Sequence, residues 1–137
     1  AVAKRLVAPP HRDGGQSQYI APTRRADGDT RLARLLDWAT ARLDEDLPVA
    51  RLAREARMTQ RTFERRFRQE TGATPNDWLA HQRVGRAQEM LESTARPIEW
   101  ISAACGFGAP ETMRHHFRRI LRTTPTAYRR TFNRAAT

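Results

Sequence analysis

The segment from Pro48 to Trp78 returns further along the chain as Pro97 to Tyr128, and this internal repeat restricts the fold more than any other feature. At an offset of 49, Pro48 matches Pro97, Val49 matches Ile98, Leu52 matches Ile101, Ala56 matches Cys105 and Met58 matches Phe107. At an offset of 50, Phe63 matches Met113, Phe67 matches Phe117, Arg68 matches Arg118, Thr74-Pro75 matches Thr124-Pro125 and Trp78 matches Tyr128. The slip of one residue falls between two helical patterns, where insertions are tolerated. Whatever the chain builds, it builds twice.

Each copy reads as a short helix, a tight turn and a second helix. Pro48 stands at a first-turn position of a helix through about Ala56, with Val49, Leu52, Ala53 and Ala56 on one face. After a break at Arg57-Met58, Thr59 caps a helix from Gln60 to Thr71 that turns Phe63 and Phe67 inward and stops at Gly72. Thr74-Pro75 then caps a connecting helix to about Ser93, carrying Trp78, Leu79, Ala87, Met90 and Leu91. In the second copy Pro97-Ile98 begins a short helix, Gly106-Phe107-Gly108 makes the turn, Pro110 to Leu121 is the second helix with Met113, Phe117 and Ile120 inward, and Thr124-Pro125 caps a last helix ending near Phe132. Ahead of both copies, Leu32, Leu35, Leu36, Ala39 and Leu43 form one apolar stripe of a helix ending near Asp44. No strand pattern occurs, so the expected fold is all-α. It has a first helix-turn-helix subdomain with its connecting helix over 29–93 and a second over 94–137. Residues 1–28, broken by Pro9-Pro10, Gly14-Gly15 and Pro22, read as a linker or the tail of an upstream domain.

The chain carries 25 Lys+Arg against 15 Asp+Glu, a formal net charge of +10, and a polyanion is therefore its natural partner. All but Lys4 of those basic residues are arginine, whose planar fork pairs bidentately with phosphate or with guanine's major-groove edge. The single cysteine, Cys105, excludes an internal disulfide and a Cys-cluster zinc site, and it occupies an inward repeat position, as a packed core residue does. His115 and His116, as neighbours on a helix, point about 100° apart, which argues against a shared metal. Asp44, Glu45 and Asp46 read as a solvated loop. Trp38 and Trp78 read as packing residues, while Trp100 sits on the short helix of the second copy, half exposed. The sequence shows neither a Gly-rich phosphate loop nor a triad, so neither catalysis nor a cofactor or metal is expected. It also has no apolar run long enough to span a membrane and no signal-peptide block, and a cytoplasmic, nucleoid-associated protein is expected.

In a helix-turn-helix the second helix enters the major groove, so its outward residues decide function. With about 100° per residue and Phe63 facing inward, Arg61, Arg65 and Arg68 share the opposite face. With Met113 inward, the outward residues of the second copy are Glu111, His115, Arg118 and Arg122. Arg61 and Arg65 suit guanine or phosphate, whereas Glu111 suits the cytosine amino group and His115 is a conditional donor, so the two helices are expected to read unlike half-sites. From Ala109 to Thr137 there are seven arginines and one acidic residue, a composition suited to backbone phosphates. The competing readings are a non-specific architectural or RNA-binding basic protein, and an enzyme that carries this region only as a DNA anchor.

Gly106-Phe107, Met113, Phe117-Arg118, Thr124-Pro125 and Tyr128-Arg129-Arg130 resemble the signature of the AraC/XylS family of bacterial transcription regulators. In the first half, Leu52-Ala53, Met58-Thr59, Phe63, Arg65, Phe67-Arg68, Gly72, Pro75, Trp78-Leu79, Arg83, Ala87 and Leu91 are similar to that family's first motif. The resemblance covers about residues 30 to 132. It implies a seven-helix domain with two helix-turn-helix motifs, whose recognition helices, about 59–71 and 110–121, enter successive major grooves of double-stranded DNA. Expected base contacts are Gln60, Arg61, Glu64, Arg65, Glu111, Arg114 and His115. Expected phosphate contacts are Thr59, Thr62, Arg68, Thr112, Arg118, Arg119 and Arg122. The family commonly has glycine where this chain has Arg57 and Arg122, so a positive φ at either position would cost stability. It commonly has a neutral or basic residue in place of Glu111. Residues 3–16 resemble the junction of a subfamily whose DNA-binding domain follows an amidase-like (PfpI-type) sensing domain. That resemblance implies a C-terminal fragment behind an upstream amidase-like domain, with ligand and oligomer contacts mostly upstream. An activator with RNA polymerase as a partner, a monomeric fragment and a dimeric whole protein are further expectations.

Overall fold

The computed structural model describes residues 29–136, and the linker expected over residues 1–28 lies outside them. The described residues form seven helices and no strand: α1 (Arg31–Thr40), α2 (Val49–Glu55), α3 (Gln60–Thr71), α4 (Pro75–Ser93), α5 (Ile98–Ala104), α6 (Pro110–Leu121) and α7 (Pro125–Ala136). The all-α expectation holds. The chain packs as two units that divide between Leu79 and Ala80, within α4.

Both short helices end in the same way. In the first unit the Met58 amide donates to the Ala53 carbonyl at 3.0 Å and the Arg57 amide to Arg54 at 3.0 Å; in the second, Phe107 donates to Ser102 at 2.9 Å and Gly106 to Ala103 at 3.2 Å. These paired bonds are the Schellman closure, which requires a left-handed residue just past the cap. Arg57 takes it with φ 59°, and its repeat mate Gly106 with φ 89°. The ends of α3 and α6 need the same conformation, met by Gly72 at φ 81° and by its mate Arg122 at φ 61°. At these two repeat positions each unit thus has one glycine and one arginine, with their order exchanged, and the turn of the second unit adds a third left-handed residue, Gly108 at φ 78°.

The caps follow the sequence with a few shifts. The Thr59 hydroxyl accepts from the Thr62 amide at 3.2 Å, and Thr74 and Thr124 accept from Asp77 and Ala127. Pro48 and Pro97 are N-caps with extended ψ of 156° and 155°, so α2 and α5 begin one residue later than the proline signal suggests. α1 stops at Thr40, short of the Asp44 end that the apolar stripe predicts. Tight turns follow, with Arg42 donating to Ala39 and Glu45 to Arg42, and these still deliver Leu43 to the core at 2% exposure. α7 runs past Phe132 to Ala136, since nothing in Asn133-Arg134-Ala135-Ala136 breaks a helix.

In the first unit Phe63 and Phe67 are fully buried with Leu32, Leu35, Leu52, Trp78 and Leu79. Phe67 meets Trp78 edge-on at 5.9 Å. In the second unit Met113 and Phe117 fill the equivalent places, and Phe117 meets Tyr128 edge-on at 6.3 Å. The Tyr128 hydroxyl donates to Glu92, and Arg129 donates to the carbonyls of Leu91 and Thr94, which ties α7 to the end of α4. Cys105 is fully buried, its thiol 3.7 Å from the Met90 sulfur, and burial pushes its pKa up to about 12. It is a core residue, as its repeat position predicts. Gln88 is buried with neither amide atom partnered among the described residues, a local cost within an otherwise apolar core. The extra residue of the second copy lies in the turn, where the buried Ser102 hydroxyl sits 2.9 Å from the Gly108 carbonyl and 3.0 Å from that of Ala109.

A non-glycine residue in the left-handed region is strained by about 1–2 kcal/mol, partly offset by the smaller entropy loss of its chain on folding. Arg57→Gly and Arg122→Gly should therefore each stabilise the domain by about 0.5–1 kcal/mol in urea unfolding, and Gly72→Ala should destabilise it by a similar amount. Equal midpoints for all three variants and the parent would show that the turns are unstrained.

Candidate nucleic-acid interface

α3 is fixed from beneath by Phe63 and Phe67 and from its N-terminus by the Thr59 cap, so the face it turns to solvent is set by packing. That face carries Arg61, Arg65 and Arg68, all exposed, with Gln60 and Glu64 exposed beside them. The guanidinium groups of Arg61, Arg65 and Arg68 make no hydrogen bond or ion pair with any described residue. Of the expected phosphate donors on this helix, Thr59 is exposed and already accepts its capping bond, while Thr62 is half-buried.

α6 is held in the same manner by Met113 and Phe117, and Pro110 occupies its first turn. Glu111, Arg114, His115, Arg118, Arg119 and Arg122 line a concave surface of about 770 Å³, and Thr112 is exposed next to it. Four guanidinium groups, one imidazole and one carboxylate thus meet solvent together. Arg119 lies 3.2 Å from the His116 ring, which stacks on Phe107 at 5.8 Å and contacts His115 edge-on at 5.2 Å. The structure thus leaves the predicted residues of both helices exposed except the half-buried Thr62, and it sets the exposed Arg119 against the His116 ring, a contact that the sequence did not reveal.

Residue for residue, the two faces differ most at their outward ends. Arg61, Glu64 and Arg65 of α3 correspond to Glu111, Arg114 and His115 of α6, so the charge is inverted at two positions and made conditional at the third. The inward residues preserve the fold of each copy while the outward residues differ.

A second cluster lies behind α3. Asp29 accepts from the Arg31 amide at 3.0 Å and pairs with the Arg31 side chain at 3.2 Å and with Arg66 of α3 at 2.7 Å. Arg66 also reaches Glu70 at 3.0 Å, and Arg31 donates to the carbonyl of Arg57 at 3.1 Å. The Arg31 side-chain hydrogen bond, the Arg31 amide and then Arg66 hold the Asp29 carboxyl well below the usual carboxylate range. The Glu70–Arg66 pair is legible at helical spacing. The link from Arg66 to Asp29 spans 37 positions and matches no sequence pattern. A further cluster stacks Arg42 at 4.6 Å and Arg51 at 5.1 Å on Trp38, with Arg51 also bound to Glu45, so Trp38 packs within the protein as expected. Trp100, 43% exposed, lies under Arg96 at 4.5 Å. Among the described residues no group of three or more His, Cys, Asp or Glu side chains is placed to hold a metal ion, and no helix is long and apolar enough to cross a membrane.

The model of a helix-turn-helix domain family matches residues 52–131, which takes in both motifs. The chain belongs to the AraC-type helix-turn-helix family. Among solved structures, it is similar to the DNA-binding domain of AdpA, a global transcriptional factor crystallised with a target DNA. The TM-score is 0.73 at 43% identity, over 74% of this chain and 92% of that one. An AraC-type regulator from Chromobacterium violaceum matches with a TM-score of 0.70 at 26% identity, over 79% of this chain and 96% of that one. Among curated proteins, the HTH-type transcriptional regulator Rv1931c of Mycobacterium tuberculosis is 38% identical over 84 residues, 61% of this chain and 32% of the relative. The activator RhaS of Citrobacter koseri is 30% identical over 100 residues, 73% of this chain and 36% of the relative. The chain thus spans about a third of the length of the curated relatives it matches.

Within this AraC-type domain the Asp29 cluster has a pH signature. Because the folded carboxyl titrates below its ordinary value of 3.8, its stabilisation is present above the carboxylate range and is lost as the pH falls through and below it. Between pH 5 and pH 3 the melting temperature of the parent should drop further than that of Asp29→Asn, which lacks this titration. Parallel curves would mean that the ion pairs contribute nothing to folding.

Proposed function

We propose that this domain is the sequence-reading part of a bacterial transcription regulator, with α3 and α6 each taking a major groove of double-stranded DNA. The observation that carries the reading is the α3 face: three exposed guanidinium groups without a partner among the described residues, on a helix whose orientation is fixed by two buried phenylalanines. Such groups match guanine O6 and N7 or phosphate, and a rigid helix supplies the fixed geometry that base reading needs. On α3, Arg61 and Arg65 with Gln60 and Glu64 face the bases, and Thr59, Thr62 and Arg68 face the backbone. On α6, Glu111, Arg114 and His115 face the bases, with Thr112, Arg118, Arg119 and Arg122 on phosphates. The likeness to the AdpA domain and its target DNA supports this assignment.

On the same reading, the whole protein carries an amidase-like sensing domain ahead of this one, joined through the stretch around residues 3–16. It acts in the cytoplasm at the nucleoid, and as an activator, like the RhaS relatives, it meets RNA polymerase.

Selection from a random duplex pool tests the reading. The expected result is a motif of two separated blocks bound about 10³-fold or more above scrambled duplex at physiological salt. Arg61→Ala or Arg65→Ala should then cost about 1–3 kcal/mol on the selected site and relax one position of the motif. Glu111→Ala should relax a position in the other block. Absence of enrichment, with affinity governed by salt alone, would make the domain a general polyanion binder.

A further inference from the structure

The two recognition helices begin differently. The N-cap of α3, Thr59, accepts from the Thr62 amide at 3.2 Å, so the helix's own cap fixes its first turn. The counterpart in α6, Ala109, has the extended backbone of an N-cap, φ −72° and ψ 144°, but no hydroxyl to offer. A residue of the preceding helix stands in its place: Ser102, fully buried on α5, has its hydroxyl 2.9 Å from the Gly108 carbonyl and 3.0 Å from the Ala109 carbonyl. The mate of Ser102 at the offset of 49 is Ala53, which has no such group, and the turn that Ser102 spans holds the extra residue of the second copy, left-handed Gly108. The added residue, the missing cap and the buried hydroxyl thus meet at one place.

We propose that Ser102 is a positioning residue for the second recognition helix: its hydroxyl does the work of the missing cap and sets the first turn of α6, so that base reading by Glu111, Arg114 and His115 depends on a side chain that never meets DNA. This rests on α6 being a base-reading helix. The Ser102 carbonyl also accepts the closing bond from the Phe107 amide at 2.9 Å. One residue therefore holds the end of α5 through its backbone and the start of α6 through its side chain. Met113 and Phe117 anchor α6 by apolar contact, which is non-directional, whereas a hydrogen bond is directional and fixes where the helix starts. Gly108 and Ala109 are exposed, so without the hydroxyl their carbonyls turn to water and the turn loosens. Glu111, Arg114 and His115 all lie within six residues of Ala109, and a binding constellation must be held to about 0.5 Å to keep its geometry.

The test compares the 137-residue chain with S102A and with S102A/A109S, which returns a hydroxyl at the cap itself. Ala53 occupies the equivalent site of the first copy, so alanine suits the position, and circular dichroism checks folding. Affinity is measured for the selected duplex and for duplexes with one block or the other scrambled, and hydrogen exchange follows the Thr112 amide of α6 and the Thr62 amide of α3 without DNA. In S102A the penalty for scrambling the second block should fall by about 3- to 10-fold, one hydrogen bond expressed as a ratio, while the penalty for the first block stays parental. The Thr112 amide should exchange faster and the Thr62 amide as before, and A109S should bring both readouts back. If S102A melts below the assay temperature, S102A/A109S carries the comparison: a parental second-block penalty supports the proposal and a reduced one overturns it. Equal second-block penalties in the parent and a folded S102A would overturn it, as would a loss shared by both blocks, which would make Ser102 a residue of general stability. A parent indifferent to the second block would overturn base reading by α6 and the effect of Ser102 on specificity with it. The exchange readout, taken without DNA, separates that failure from a failure of Ser102 to hold the first turn.

Discussion

The carbonyls of Ala53 and Ser102 each accept a hydrogen bond from an amide five residues on, and the direction of both recognition helices depends on that closure. The bond forms only if the residue between is left-handed, and it reverses the chain within a few residues so that the next helix starts against the same core. Once the turn is closed, Phe63 and Phe67, or Met113 and Phe117, fall onto apolar neighbours, and the opposite face has no choice but solvent. The outward stripe is thus a consequence of the inward one. A chain that kept its basic residues but lost the closure would keep its charge and lose its register.

The left-handed positions show how the closure is tolerated rather than optimised. Glycine serves at Gly106 and Gly72, and arginine at their mates Arg57 and Arg122. The backbone conformation is therefore a property of the repeat, held even where the side chain disfavours it, because the hydrogen bonds that close each helix end outweigh the strain. Arg57 also presents its carbonyl to Arg31, so the strained residue is tied to α1 rather than left at a loose corner.

Much of this was legible in the residues because the information was local. Periodicity placed Phe63, Phe67, Met113 and Phe117 inward; Thr59, Thr74 and Thr124 marked caps; and the offset of the two copies aligned the outward positions. The misplaced ends have the same origin. A stripe ending at Leu43 is satisfied equally by helix or by the tight turns that follow Thr40, because both bring that side chain to the core. What the sequence did not show was long-range and polar. Arg66 reads as one more basic residue on a basic helix, and only the fold brings Asp29 to it. In the same way, His116 reads as half of a histidine pair until Phe107 is seen beneath it.

On the proposed function, two copies of one scaffold read different sequences because their outward residues differ in charge while their inward residues stay apolar. The most direct measurement transplants the outward residues of α3 onto α6, as E111R/R114E/H115R, and repeats the duplex selection. The second block of the motif should change toward the first while the first block is unaltered, with the melting temperature near that of the parent. A motif that stays the same, or one whose two blocks blur together as affinity for all duplexes rises, would contradict it and make α6 an electrostatic anchor.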